Sequence, residues 1–294
     1  MVIYLKLLLT AFFWGGTFIA GRIVADNVGP FSASFLRFVV ASVILLIINY
    51  KIEGRMPRLE RRHWLPVIFL GLTGVCLYNI FFFSGLKMID AGRAALIIAL
   101  NPIAIALLSA YFFKEKLGLT RIVGILLSIT GAMVVITDGN LSEIFSGSLG
   151  LGETFIFGCV LSWSAFSLIG KSITANLSPL VSISYASVAG TIGLLIPAIY
   201  EGLLKDLWKY TCSEWVSIIY LGLFGTAIGF VWYYEGIKRM GPAAASQFIN
   251  FVPISAVVLA FLILGEPITA SLLIGLILVS SGVYIVNRKI PSNA

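Results

Sequence analysis

Two prolines with nearby amides stand near the middle of apolar runs, Asn101 beside Pro102 and, 151 positions on, Pro253 preceded by Asn250 and Gln247. A proline inside a helix removes one backbone hydrogen bond and bends or loosens the turn before it. In a bilayer the freed carbonyls need protein or a cavity to satisfy them. An amide buried there without a partner costs on the order of 1–3 kcal/mol, so these amides pair with each other, with backbone, or with a solute. Trp14 and Trp163 fall close to the centres of two other apolar runs, too deep for an interfacial aromatic belt. Ser162 and Ser164 flank Trp163, and Tyr78 and Asn79 lie a little outward of centre in a third run. The candidate binding residues are therefore Trp14, Tyr78, Asn79, Asn101, Trp163, Ser164, Gln247 and Asn250, with Pro102 and Pro253 as helix kinks. Aromatic faces with uncharged amides suit non-covalent recognition of a small amphipathic solute. The plainer alternative is kinks that ease helix packing and amides that bond helix to helix. Trp232, Tyr233 and Tyr234, near the end of their run, read as interfacial anchors.

The elements that must position these groups follow from composition. Hydrophobic residues make up 59% of the 294 positions and charged residues 11%, where ordinary soluble domains carry about 25% charged residues. Runs of the roughly 20 residues needed to cross a hydrocarbon core recur throughout. Cutting at charged, Gly and Pro clusters predicts ten membrane helices, near 4–24, 30–49, 64–86, 91–113, 119–137, 150–170, 178–199, 215–237, 242–264 and 268–287. The first run, followed at once by others, reads as a retained helix rather than a cleaved signal. Basic residues concentrate at 50–63, at 114–121, at Lys238 and Arg239 and at Arg288 and Lys289, whereas 138–150 carries Asp138 and Glu143 and no basic residue. The positive-inside rule then places both termini in the cytoplasm. The net charge of +7 is thus a topology signal that also meets anionic lipid heads, and it excludes a nucleic-acid role.

The chain also repeats itself. SGLKMIDAGRAA at 84–95 is echoed by EGIKRMGPAAAS at 235–246, and at the same spacing of 151 Trp64 meets Trp215, LGLTG at 70–74 meets LGLFG at 221–225, and Glu115 meets Glu266. Upstream the spacing is 149, pairing Trp14 with Trp163, Gly21 with Gly170, Asn27 with Asn176 and Pro30 with Pro179. Each copy holds five spans, an odd number, so the second enters the membrane inverted. Inverted repeats with interrupted helices at corresponding positions are an architecture of secondary transporters, with the solute site near the midplane. The domains expected are 1–137, a linker at 138–149, and 150–294.

FFWGGTF at 12–18, PFSASFLRF at 30–38, NPIAIALLSAYFFKEKL at 101–117 and GEPITASLLIGLILVSSGVYIV at 265–286 resemble the drug/metabolite transporter superfamily in its ten-helix EamA-type branch. That resemblance implies an all-α integral membrane protein moving small metabolites such as amino acids outward across a prokaryotic inner membrane, through a cavity between two five-helix units. Multidrug and nucleotide-sugar-type transport are the alternatives within the class. A membrane-embedded enzyme would need a nucleophile with a base, a metal cluster or paired acids inside the spans. His63 is the single histidine, and Cys76, Cys159 and Cys212 form no pattern, with Cys212 alone in a loop. No cofactor, metal or disulfide framework is expected. The partners expected are a small-molecule substrate and membrane lipid, with the chain a monomer and a dimer as the alternative. Asn140 begins a formal glycosylation sequon with no context to support its use.

Charge inside the membrane bears on coupling. Asp90, Glu115, Glu153, Glu235 and Glu266 all fall at span ends, so uniport or exchange is expected rather than proton antiport through a central carboxylate. Glu115 and Glu266 read as helix-end pairing groups, Glu115 with Lys114 or Lys116. Arg37, seven residues past Pro30 and so roughly 10 Å down its helix, matches an arginine common in that helix of the family and reads as structurally paired or snorkelling. With no cation expected at the midplane, a solute of fixed negative charge is disfavoured. Gly15, Gly16, Gly71, Gly74, Gly222, Gly225, Gly275 and Gly282 are expected to permit close helix contact.

Overall fold

A computed structural model describes residues 2–53, 58–113, 119–136, 139 and 150–287. Among these residues the chain is helical and turn, with no strand. The helices are α1 (Val2–Ala25), α2 (Pro30–Glu53), α3 (Arg61–Leu86), α4 (Ala91–Ile98), α5 (Asn101–Phe113), α6 (Leu119–Ile136), α7 (Leu151–Ile173), α8 (Pro179–Glu201), α9 (Cys212–Met240), α10 (Pro242–Ser246), α11 (Val252–Leu259) and α12 (Ala270–Asn287). Six of them, α1 to α3 and α7 to α9, are long and apolar enough to cross a membrane, and the shorter ones are apolar as well. Large hydrophobic side chains such as Val43, Ile47, Leu126, Ile192, Ile196, Leu262 and Ile277 point outward, which in a chain of this composition is a lipid-facing surface.

Local chemistry sets the helix ends. Ser178 caps α8 by accepting a hydrogen bond from Val181 N at 3.2 Å, with Pro179 at the first helical position, where it loses nothing. Gly202, at φ 109°, and Gly241, at φ 83°, end α8 and α9 in backbone that favours glycine. Cys212 is the exposed first residue of α9 rather than a loop residue, and His63 is buried in the first turn of α3. Glu115, Lys114, Lys116, Asp138, Asn140 and Glu143 lie outside the described residues.

The proline-bearing spans are interrupted at corresponding places, as expected, but the prolines do not form kinks within them. The first stops at Ile98, turns through Ala99 and Leu100, and restarts at Asn101. The second runs as α10, a tighter 3₁₀ stretch over Gln247–Phe251, and α11. Pro102 and Pro253 are each the second residue of the restarted helix. A proline in a first turn has no amide bond to forfeit, so it starts a new helix more cheaply than it kinks an old one.

A second interruption occurs in α3 and α9, where the repeated LGLTG and LGLFG sequences lead into wide turns at Gly71–Leu77 and Leu221–Ile228. Such π-type bulges leave carbonyls poorly served. Asn79 Nδ2 donates to Gly74 O at 3.1 Å and Val75 O at 2.9 Å, and Thr226 Oγ1 donates to Leu221 O at 3.0 Å.

Residues 149 or 151 apart meet one another along the middle of the bundle. Trp14 and Trp163 have ring centroids 5.1 Å apart, Ser42 and Thr191 hydroxyls are 3.2 Å apart, and Ser128 Oγ donates to Val279 O at 3.2 Å. Self-meeting of this kind is what a two-fold relation produces. Glycines make the crossing of α6 and α12 possible, since a Cβ at Gly131 would stand 3.0 Å from Gly275 O and 2.9 Å from Val279 N. The bundle end opposite the start of α1 is held by carboxylates of the C-terminal half. Glu201 accepts from Phe31 N at 3.2 Å and Ser32 N at 2.6 Å, Glu266 from Ala91 N at 2.9 Å and Gly92 N at 3.1 Å, and Glu214 from Asn27 Nδ2 at 2.7 Å. Arg93 pairs with Glu153 at 2.6 Å at the same end, and Lys6 with Glu235 at 2.7 Å at the other. Each carboxylate on a helix N-terminus meets free N–H groups and the positive end of the helix dipole.

Candidate functional site

A cavity lies where α1, α2, α3, α7 and α9 meet the broken helices. Its wall is Trp14, Thr17, Phe18, Arg37, Tyr78, Phe82, Ile98, Asn101, Trp163, Phe230, Ile249 and Val252, and its water-accessible volume is about 30 Å³. That is room for a water molecule rather than a metabolite, so the cavity is narrow in this conformation. Trp163 is the hub, with ring centroids 5.3 Å from Tyr78, 5.2 Å from Phe166, 5.2 Å from Phe230 and 5.4 Å from Tyr233. Trp14 meets it edge-on at 87° and donates from Nε1 to Gly225 O at 3.0 Å. That carbonyl is within the wide turn of α9, so the bulge itself orients one wall of the cavity.

Arg37 closes the polar side. It is 3% exposed, and its Nη1 donates to Asn79 Oδ1 at 2.7 Å and its Nε to Thr226 Oγ1 at 2.9 Å. Asn79 and Thr226 are the residues that satisfy the two wide turns, so one guanidinium ties α3 to α9. Arg37 is structurally paired, one of the two alternatives the sequence offered, and what is corrected is the expectation that no cation stands at cavity depth. Asn101 Oδ1 is buried and has no hydrogen-bond partner among the described residues. Among the described residues no Asp, Glu or His is in the wall.

The family model for the EamA-like transporter family matches residues 1–137 and 150–288. The chain belongs to the EamA-like transporter family. It is a multi-pass integral membrane protein, and its family and relatives are transporters, not enzymes. An uncharacterized transporter of Archaeoglobus fulgidus is 31% identical over 97% of this chain and 99% of its own length. The uncharacterized transporter YyaM of Bacillus subtilis is 30% identical over 96% of this chain and 92% of its own. A protein of Streptantibioticus cattleyicolor named a "probable terminal-alkyne amino-acid exporter" is 32% identical over 96% and 92%. A crystal structure 21% identical to the chain shares the fold, at a TM-score of 0.72 over 97% of this chain and 96% of that one.

Within this EamA-family fold, Trp14, Tyr78, Asn101 and Trp163 come together in the cavity wall, and Asn79 stands behind Arg37. Ser164 does not join them; it is fully buried and donates to Val160 O of its own helix at 2.8 Å, the usual fate of a helical serine facing protein. Asn250 is half-buried outside the wall, its Oδ1 without a partner among the described residues, and the side chain of Gln247 lies outside them. Tyr233 and Tyr234 are core residues rather than interfacial anchors, at 1% and 0% exposure. Their hydroxyls find partners, Tyr233 with Ser167 Oγ at 3.1 Å and Tyr234 donating to Phe166 O at 3.0 Å, which is what allows them inside. Trp232 stays partly exposed, with Lys6 Nζ 5.7 Å from its ring centroid. Tyr234→Phe should lower stability by about 1 kcal/mol, a difference readable as a reduced melting temperature of the detergent-solubilised protein.

Sequence reasoning missed Phe18, Phe82, Phe230 and Thr17 in the wall, and Thr226 behind it. A signal existed for two of them. Phe82 and Tyr233 stand 151 apart, as do Asn79 and Phe230, so the repeat projects one site onto the other.

Proposed function

We propose that this EamA-family transporter is an exporter of small metabolites such as amino acids, working by alternating access. The observation that carries the reading is the aromatic cavity built by repeat-related residues, Trp14 with Trp163 and Ile98 with Ile249, at the junction of the two chain halves. Two inverted five-helix units, 1–137 and 150–294 joined by 138–149, make ten crossings with both termini cytoplasmic in a prokaryotic inner membrane. The carboxylate-held end is then the outer gate, closed in this conformation. A relative named as an amino-acid exporter supports the substrate class. A wall whose described residues include no Asp, Glu or His favours uniport or exchange over carboxylate-based proton antiport.

Locking the outer gate tests the reading. Asn27 and Glu214, joined by a 2.7 Å hydrogen bond, are replaced by cysteines in a chain freed of Cys76, Cys159 and Cys212, and a short bismaleimide joins them. Amino-acid flux from liposomes should fall to background on crosslinking. Undiminished flux through a crosslinked protein would refute alternating access at this gate.

A further inference from the structure

We propose that Arg37 is the anion anchor of the cavity, and that the transported solute is a small monocarboxylate with an apolar body. The inference rests on the transport reading and names its substrate chemistry.

A buried guanidinium in a membrane protein is expensive unless something balances its charge. Arg37 has hydrogen bonds but no counter-charge among the described residues, since both its partners, Asn79 Oδ1 and Thr226 Oγ1, are neutral. Those bonds use Nε and Nη1, and Nη2 has no acceptor among the described residues. Nη2 comes so close to α9 that a Cβ at Gly225 would stand 3.2 Å from it. A bolt between the two wide turns needs only a neutral donor, so the charge itself calls for another explanation. Since Arg37 is part of the cavity wall, an anion entering the cavity supplies the missing charge.

The repeat says where the rest of that anion goes. Some wall positions match across the two halves, Trp14 with Trp163 and Ile98 with Ile249, but the polar ones do not. Arg37 corresponds to Ala186, Tyr78 to Gly229, Asn79 to Phe230, and Asn101 to Val252. The N-terminal half thus brings the charge and the amide of Asn101 to the wall, and the C-terminal half brings Trp163, Phe230, Ile249 and Val252. An amphipathic solute has one favourable orientation in such a cavity, with its carboxylate on Arg37 and its apolar body against the C-terminal half. A single cation matches a monoanion. A phosphate monoester, carrying about −1.5 to −2 charges, would leave excess charge buried. The unpartnered Asn101 Oδ1 can accept from an ammonium, so α-amino acids fit within the class.

The full chain in nanodiscs is titrated with L-phenylalanine, L-leucine and 3-phenylpropionate and with the matching carboxamides, read by tryptophan fluorescence and thermal shift. The acids should bind about 10- to 100-fold more tightly than the amides, the worth of a charge-assisted hydrogen bond. Arg37→Gln should erase that preference. Arg37→Lys, which keeps the charge without the planar fork, should weaken acid binding several-fold and amide binding distinctly less. An acid preference that survives Arg37→Gln, equal losses for acid and amide in Arg37→Lys, or a panel in which no carboxylate binds overturns the proposal. The Arg37→Lys comparison decides the matter even where Arg37→Gln does not fold. Liposome flux separates the two readings. Amides carried as fast as acids remove the anchor and leave the transporter, whereas Arg37-dependent binding with no flux of any compound removes the transport role and leaves the anchor.

Discussion

Trp163→Ala should reduce solute flux to background in liposomes while the protein remains in the membrane. Trp163 is 3% exposed and packs on Trp14, Tyr78, Phe166, Phe230 and Tyr233 with ring centroids between 5.1 and 5.4 Å. Each aromatic pair contributes about 0.5–1.5 kcal/mol beyond area burial, and truncating a buried tryptophan costs about 3–5 kcal/mol. Two consequences separate on measurement. The melting temperature should fall, and flux per folded molecule should fall further, because the ring forms the cavity wall as well as the core. Trp163→Phe, which retains a face for stacking, should recover most of the stability and part of the flux. Trp64, 52% exposed on the lipid side, serves as the comparison, and Trp64→Ala should leave both quantities near wild type. Flux in Trp163→Ala above half the wild-type rate would place the translocation path elsewhere.

Gly131→Leu should destabilise the fold through backbone rather than side-chain packing. At Gly131 the α6 and α12 backbones approach so closely that a Cβ would lie 2.9 Å from Val279 N and 3.0 Å from Gly275 O. Neither atom is the end of a flexible side chain, so the helices themselves must separate, which breaks the Ser128 to Val279 hydrogen bond nearby. Overpacking of this kind costs about 1–3 kcal/mol or more, and much of the purified variant is expected to aggregate. Gly193→Ala is the opposite case. Its Cβ would meet only Cys76 Sγ, at an ordinary 3.5 Å, in the middle of α8. Removing a helical glycine there should stabilise by about 0.5–1 kcal/mol. Equal melting temperatures for the two variants would mean that the glycine contact does not hold α6 against α12.

Several features were legible without coordinates, for reasons that differ. The apolar runs are local, and any run of that length and composition has few alternatives to a helix in a bilayer. Trp14, Tyr78, Asn101 and Trp163 were legible because polar or bulky groups at mid-run stand out against apolar neighbours. Local reasoning gave Arg37 a structural pairing, which it has, but not its place in the cavity wall. Its depth along α2 was readable, but its direction was not, and direction is what puts it between Asn79 and Thr226. Tyr233 and Tyr234 failed similarly, since an aromatic residue near a helix end satisfies either an interface or a core with Ser167 and a free carbonyl in reach. In a soluble helix a polar outer face reveals the inner one. Here lipid and core both accept Leu, Ile and Phe, so periodicity cannot separate the faces.

The sequence by itself determined an all-helical membrane chain with one unit written twice, because hydropathy and repeat spacing are one-dimensional quantities. The tertiary structure alone decided that Arg37, Asn101 and the two deep tryptophans share a cavity, that Ser164 turns away from it, and that the prolines start helices rather than bend them. Those outcomes depend on the rotation of each helix about its own axis and on which carbonyls a neighbour can satisfy. Both are set by packing between segments about 150 residues apart, of which the repeat pairs Ser42 with Thr191 and Ser128 with Val279 are the direct record.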